Sequence, residues 1–175
     1  KDYRVRNQII TNNFKKKPNK VYNFLKKIFF INRKINKHHL VDAINKSDRI
    51  KKLIKKDHLI DFCKIAFDAY EDEQYISVND EIPNTLSEQE KILVSCLKQK
   101  KVFDFYSLQH LAEDNGINVN SVSVYTATSP LIRSEQRLYF LIGTEFDLFE
   151  LESLKKEFHS KRKKSKKYWG YLPEG

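Results

Sequence analysis

The sequence predicts a mainly α fold with two small β-hairpins and a helix near its C-terminus. Apolar residues recur at helical spacing through most of the chain and alternate over only a few short stretches. The order helix, helix, helix, hairpin occurs twice, on either side of a segment that contains Pro83. With 40% hydrophobic and 13% aromatic residues, a chain of 175 residues can bury a core. We therefore expect two small domains followed by the C-terminal helix.

The first predicted domain covers residues 19–80 and follows a basic arm at 1–18. Apolar positions three and four residues apart predict its helices, and an alternating stretch after an acidic turn predicts its hairpin. Ser47 is expected to cap the third helical segment, and Asp57 a further turn within it. The predicted helices lie near 19–31, 37–46 and 48–66, and the hairpin lies at 67–79.

The second predicted domain covers residues 86–144. Ser87 and Glu90 have the spacing of a capping box, in which each side chain accepts a hydrogen bond from the other residue's backbone amide. Gly116 tolerates the left-handed conformation that ends a helix, and it is expected to end the second helix. The hairpin is predicted from the alternating stretches 131–134 and 138–142, with its turn around Glu135 and Gln136.

The third helix of this domain is predicted at 119–128, where a strand is the alternative. The segment alternates and is rich in β-branched residues, which favours a strand. The preceding Gly116-Ile117 turn and Asn118, a suitable N-cap, favour a helix. Pro130 disfavours helical conformation in the residue before it and is expected to end the helix.

An amphipathic helix is predicted at 145–160, and a basic and aromatic tail at 161–175. The apolar residues expected to face inward are Phe146, Phe149, Leu151, Leu154 and Phe158. In the tail, Tyr168, Trp169 and Tyr171 suit docking onto the protein surface, with stacking on exposed bases as the alternative. Because the chain contains no methionine, we expect it to be part of a longer protein.

The net charge of +10 is unevenly distributed. Residues 1–66 contain 19 Lys/Arg and 5 Asp/Glu, a net +14, whereas residues 67–160 contain 8 and 17, a net −9. Residues 161–175 contain 6 and 1, a net +5. Basic surfaces attract phosphate and release counterions on binding. The alternative is compositional, because Lys, Ile and Asn are the residues that an AT-rich genome encodes.

The helix predicted at 119–128 is the candidate for entering a nucleic-acid groove. If Val122 and Thr126 face inward, the residues that project outward are Asn120, Val124 and Thr128, flanked by Ser121 and Ser123. Asn can pair with adenine, Ser can contact base edges or phosphates, and Val can contact a thymine methyl group. Arginines of the hairpin and lysines of the first domain suit phosphate neutralisation. The predicted DNA-contacting residues are Asn120, Ser121, Ser123, Val124, Thr128, Arg133, Arg137, Lys51, Lys52, Lys55 and Lys56.

No catalytic, cofactor or metal site is predicted. The five histidines are scattered without the spacing of metal ligands, and four glycines do not form a phosphate-binding loop. Cys63 and Cys96 lie far apart on apolar stretches, which predicts buried, reduced thiols. We expect no signal peptide, and no apolar run is long enough to span a bilayer. We therefore expect a cytoplasmic, non-enzymatic protein without a membrane partner.

The second domain contains short motifs in a fixed order. They are Leu86-Ser87-x-x-Glu90, Leu108 to Leu111, Gly116-Ile117, Ser121-Val122, Ser129-Pro130-Leu131-Ile132 and Tyr139-x-Leu141-x-Gly143. This series resembles the bacterial winged helix-turn-helix domains of sigma-factor-like regulators and of defence- or restriction-associated proteins. The resemblance implies DNA binding within a larger regulatory or defence protein, and no catalytic residue in this segment. Residues 37–79 are similar in outline to a second, weaker winged domain.

Two functions follow from these observations. The first is a non-catalytic module of tandem winged helix-turn-helix domains that binds double-stranded DNA. The alternative is a protein-protein interaction module, in which the winged helices are scaffolding within a multi-subunit assembly. The acidic middle of the chain favours the alternative, and the basic ends favour DNA.

Overall fold

The computed structural model describes residues 20–169, with side chains described as far as Lys161. The basic arm at 1–18 and the last six residues, including Tyr171, lie outside this range. The first half contains α1 (Lys20–Ile31), β1 (Lys34–Asn36), α2 (Lys37–Asn45), α3 (Asp48–Lys51), α4 (Lys56–Phe67), β2 (Tyr70–Glu71) and β3 (Tyr75–Ser77). The second half contains α5 (Glu88–Gln99), β4 (Phe103–Asp104), α6 (Phe105–Asp114), α7 (Val119–Thr128), β5 (Ile132–Glu135), β6 (Leu138–Leu141) and α8 (Leu148–Trp169).

The chain is mainly helical and forms two small antiparallel sheets, as the sequence predicted. The strand order is β1-β3-β2 in the first half and β4-β6-β5 in the second. In each half, the strand before the second long helix pairs with the last strand of the hairpin. The two halves therefore share one topology, apart from the short helix α3. The sequence did not predict β1 and β4, because strands of three and two residues are too short to show alternation.

Side-chain caps set several helix boundaries where the sequence placed them. Asn118 accepts a hydrogen bond from the backbone amide of Asn120 at 2.9 Å, and α7 is a helix rather than a strand. Ser87 and Glu90 form the predicted capping box of α5. The expected cap at Asp57 is wrong, because Lys55 occupies the N-cap position of α4 and Asp57 lies in the first turn. The helical segment predicted at 48–66 is interrupted at 52–55, so α3 and α4 are separate helices.

Each half has its own apolar core. The first contains Leu25, Phe29 and Leu40, and the second contains Leu93 and Leu108, all almost completely buried. A further cluster of Val102, Leu138, Phe140 and Leu151 packs α8 against the second sheet. Burial of these side chains away from water is the main force that holds the elements together.

The C-terminal helix differs from the prediction in its bounds and in one inward residue. It begins at Leu148 rather than at 145, and its backbone stays helical through the basic run to Trp169. Phe149, expected inward, is 88% exposed. It lies two residues before the buried Leu151, about 200° around the helix, so the two cannot share a face.

The two halves contact each other through apolar and charged residues. Leu131 of the second half forms a buried cluster against Phe30 of α1, and Ile142 belongs to the core of the first half. Lys27 donates to both carboxylate oxygens of Glu90, at 2.7 and 2.8 Å. Glu90 therefore serves its own helix cap and the contact between the halves.

Candidate nucleic-acid interface

Helix α7 presents one buried and one exposed side. Val122 and Thr126 are buried, as predicted. Asn120, Ser123 and Val124 are exposed, and Val124 is 59% exposed despite its apolar side chain. The exposed residues lie three and four positions apart, so they share one helix face. This face has the side chains that the sequence predicted, without a charged group.

Hydroxyl groups on α7 differ in whether they are exposed and whether they hydrogen-bond to the helix backbone. Thr128 is exposed, but its hydroxyl donates to the backbone oxygen of Val124 at 2.8 Å. Ser121 is half-buried. The amide side chain of Asn120 and the hydroxyl of Ser123 are thus the exposed polar groups best placed to contact an external ligand.

The four predicted lysines lie on the connection between α3 and α4. Lys51 ends α3, Lys52 is its C-cap, Lys55 is the N-cap of α4 and Lys56 begins that helix. All four are exposed, and none forms a salt bridge with another residue that the structure describes. The structure brings them together at the start of the third long helix of the first half.

Three of these lysines border an apolar groove. Val41, Ile44, Ile54 and Leu59 contribute its apolar lining, Asn45 contributes one polar side chain, and Lys51, Lys55 and Lys56 contribute its charged rim. Its volume is about 250 Å³. We refer to these eight residues as the lysine groove.

The two hairpin arginines occupy different environments. Arg137 is exposed and lies in the two-residue turn Gln136-Arg137, one position later than predicted, with both residues at positive φ. Arg133 is half-buried, donates to the backbone oxygen of Thr144 at 3.3 Å and lies over the ring of Phe140. Arg137 is available to a phosphate, whereas Arg133 is engaged within the protein.

Lys46 links the first half to the C-terminal end of α7. Its amine donates to the backbone oxygen of Thr126 at 3.3 Å and to that of Ile132. The amine thus satisfies a carbonyl in the last turn of α7, where the helix dipole favours a cation. Burial, with a smaller contribution from the charge of Arg133, lowers the pKa of Lys46 to about 8. Lys46 follows α2 directly and lies five residues before Lys51. It therefore joins this part of the first half to α7.

A second polar contact between the halves centres on Glu145. Tyr75 donates to its carboxylate at 2.8 Å, and the Nδ1 atom of His39 lies 3.9 Å from the other carboxylate oxygen. Burial lowers the pKa of His39, and the positive charge of Arg133 acts in the same direction. The sequence did not predict the contacts of Lys46, His39 or Glu145, because they join residues more than 60 positions apart without a local pattern.

The remaining predictions concern metal sites, membrane spans and the two cysteines. Among residues 20–169, no group of three or more His, Cys, Asp or Glu side chains is arranged to hold a metal ion. No helix in that range is both long and apolar enough to cross a bilayer. Cys63 and Cys96 are buried, as predicted, and burial raises the pKa of both thiols.

Comparison with known proteins does not identify a family. No protein-family model, curated protein or solved structure matches the chain. The geometry of α7, the lysines and Arg137 is therefore what bears on function.

Proposed function

We propose that this chain is a tandem winged helix-turn-helix module that binds double-stranded DNA. The observation that carries the proposal is the exposed, uncharged polar face of α7, which is the third helix in a half that ends in a hairpin. In helix-turn-helix proteins the corresponding helix enters the major groove and contacts base edges. The hairpin of β5 and β6 is the wing, with Arg137 at its tip.

The shared topology of the two halves supports the proposal. Apart from α3, both contain the succession helix, strand, helix, helix and hairpin, and both sheets have the same strand order. In this arrangement α4 of the first half corresponds to α7 of the second. The lysines at the start of α4 then lie where a helix-turn-helix domain approaches the DNA backbone.

Affinity and selectivity come from different residues in this proposal. Lys51, Lys52, Lys55 and Lys56 neutralise phosphates, which contributes affinity for any sequence. Asn120, Ser123 and Val124 meet base edges, which contributes selectivity. The absence of Lys and Arg from α7 is consistent with this division, because the lysines of the first half supply the charge.

The setting of the module is also a proposal. The motifs of the second half resemble those of sigma-factor-like regulators and of defence- or restriction-associated proteins. A DNA-binding segment of this kind would direct a larger regulatory or defence protein to its site. The alternative of a protein-protein interaction module is favoured by one observation, the exposure of Leu148 and Phe149 at the start of α8.

Replacing Asn120 with alanine is expected to relax sequence preference without abolishing binding. A bidentate contact from Asn to adenine contributes about 1–3 kcal/mol of discrimination against other bases. The experiment is selection of a preferred duplex from a random pool by the wild-type protein, followed by sequencing and measurement of its affinity relative to single-base variants. At one position the preference for adenine should fall by about tenfold or more.

The matched control is Gln99→Ala, which removes an exposed amide from the end of α5. This variant should retain the full preference of the wild-type protein. If the wild-type protein binds the selected duplex and Asn120→Ala keeps the same preference for adenine, α7 does not contact bases through Asn120. Failure of the wild-type protein to bind any duplex at low salt would reject the proposed function itself.

A further inference from the structure

The start of α8 carries an acidic and apolar surface, although one of its carboxylates, that of Asp147, also accepts a hydrogen bond from the backbone amide of Glu150 at 2.7 Å. Leu148 and Phe149 are 76% and 88% exposed. Asp147 and Glu152 are exposed beside them. We call these four residues the acidic knob. Exposed large apolar side chains with charged residues around them are typical of contact sites for another macromolecule.

The lysine groove has the opposite character. Apart from Asn45 its lining is apolar, its rim holds Lys51, Lys55 and Lys56, and its volume is about 250 Å³. This volume is below the range of about 300–1,000 Å³ that is typical of small-molecule sites. It suits one or two apolar side chains better than a complete ligand. The cations on the rim favour an occupant that carries carboxylates beside its apolar groups.

We propose that the acidic knob of one molecule occupies the lysine groove of a second copy of this chain. Phe149 and Leu148 enter the apolar groove, and Asp147 and Glu152 meet the lysines of its rim. The charge distribution of the chain supports this occupant, because the residues up to 66 carry a net +14 and the residues from 67 to 160 a net −9. Each molecule therefore carries both complementary surfaces, the acidic knob and the lysine groove.

The geometry of such a contact is head-to-tail, because the knob and the groove are different surfaces. A head-to-tail contact leaves one free knob and one free groove at the ends of each assembly, unless the rotation closes a ring. Assemblies should therefore grow with concentration rather than stop at a dimer. A contact made by two apolar side chains and a few exposed charges is small, so it is expected to be weak and sensitive to salt.

Self-association and DNA binding use the same lysines. If the proposed function is correct, duplex DNA and the acidic knob compete for Lys51, Lys55 and Lys56, and DNA dissociates the assemblies. This competition depends on the proposed function, whereas self-association does not. The two are therefore measured separately.

The first experiment is sedimentation velocity of the full chain at low salt over a range of protein concentrations. The wild-type protein should show a concentration-dependent increase in sedimentation coefficient, and Phe149→Ser should weaken association by about tenfold or more. Two charge variants make the test specific. One carries Lys51→Glu and Lys55→Glu, and the other carries Asp147→Lys and Glu152→Lys.

Each charge variant alone should be monomeric, because its knob and its groove have the same sign. A mixture of the two variants should associate again, since each groove then meets a knob of opposite sign. Control variants with the same charge changes elsewhere, Lys98→Glu with Lys100→Glu and Glu113→Lys with Asp114→Lys, should associate as the wild type does. Far-ultraviolet circular dichroism checks that all the variants are folded.

A wild-type protein that stays monomeric at every concentration, or charge variants whose mixture fails to associate, would overturn the proposal. Adding duplex DNA to the associated wild-type protein provides the competition measurement. If the wild-type protein associates but DNA does not dissociate the assemblies, the contact between copies is supported and its competition with DNA is rejected. DNA binding by a protein that never associates would leave the proposed function standing without this inference.

Discussion

Replacing Gly143 with alanine is expected to destabilise the protein by about 2–4 kcal/mol, through backbone strain and a lost hydrogen bond. Gly143 has a φ of 89°, a conformation that residues with a Cβ atom rarely adopt. A Cβ atom at this position would lie 2.2 Å from Nδ2 and 2.8 Å from Cβ of Asn32. Moving Asn32 aside would break the hydrogen bond that its side chain accepts from the backbone amide of Lys34 at 3.1 Å.

The measurement is the free energy of unfolding by denaturant, with Gly116→Ala as the matched control. Gly116 has a φ of 87°, but a Cβ atom there would meet nothing within 4 Å. Gly116→Ala should therefore show only the backbone strain, about 1–2 kcal/mol. The difference between the two variants measures the close approach of Gly143 to Asn32. Equal destabilisation by both variants would contradict a tight contact between the halves at this point.

The second large effect is a rise in stability with pH that depends on Lys46. Burial lowers the pKa of this amine from 10.5 to about 8 in the folded protein. Between these values the unfolded chain binds more protons at Lys46 than the folded chain does, so the free energy of unfolding rises with pH. The shift corresponds to about 3 kcal/mol at most, and solvent screening at this partly exposed amine reduces the expected gain to about 1–2 kcal/mol.

The measurement is the difference in unfolding free energy between the wild type and Lys46→Met, from pH 7.5 to 10. The difference is required because the buried thiol of Cys63 has a raised pKa, which makes stability fall as pH rises. We expect the difference to increase with pH for Lys46→Met and to stay constant for Lys98→Met, which removes an exposed amine of α5. Parallel curves for the wild type and Lys46→Met would show that the amine is not buried between the halves.

Local signals were sufficient to predict most helices. Ser87, Glu90 and Asn118 satisfy backbone amides within three residues of themselves, so the helix starts they set can be recognised from the sequence. The same applies to α7, where the cap and the preceding turn decided against the strand suggested by the alternating residues. Its buried residues, Val122 and Thr126, follow directly from its period.

Long-range features were beyond the sequence for a physical reason. The strands β1 and β4 exist because partners more than 30 residues away complete their hydrogen bonds. Arg133 was predicted to contact a phosphate. Its hydrogen bond to the backbone oxygen of Thr144 and its position over the ring of Phe140 depend on how the hairpin packs. Lys46 resembles any other lysine of the basic N-terminal part until the fold places it against α7.

The separation of affinity from selectivity has a consequence for how the module would act. In the proposed function, lysines that neutralise phosphates allow weak binding to any duplex, and the uncharged face of α7 selects among sequences. The contacts of Lys46 with Thr126 and of Lys27 with Glu90 join the half that carries the lysines to the half that carries α7. The proposed function requires both surfaces to engage one stretch of DNA.

The salt dependence of duplex binding tests the central claim most directly. The logarithm of the affinity should fall linearly with the logarithm of the salt concentration, with a slope of about 0.9 for each phosphate neutralised. Replacing the four lysines at 51, 52, 55 and 56 with alanine should reduce the slope by roughly 3–4 units, since each contributes about one phosphate contact. A control that replaces four other exposed lysines, at 91, 98, 100 and 156, should keep the wild-type slope. An affinity independent of salt, or an unchanged slope after loss of the four lysines, would contradict the proposed DNA interface.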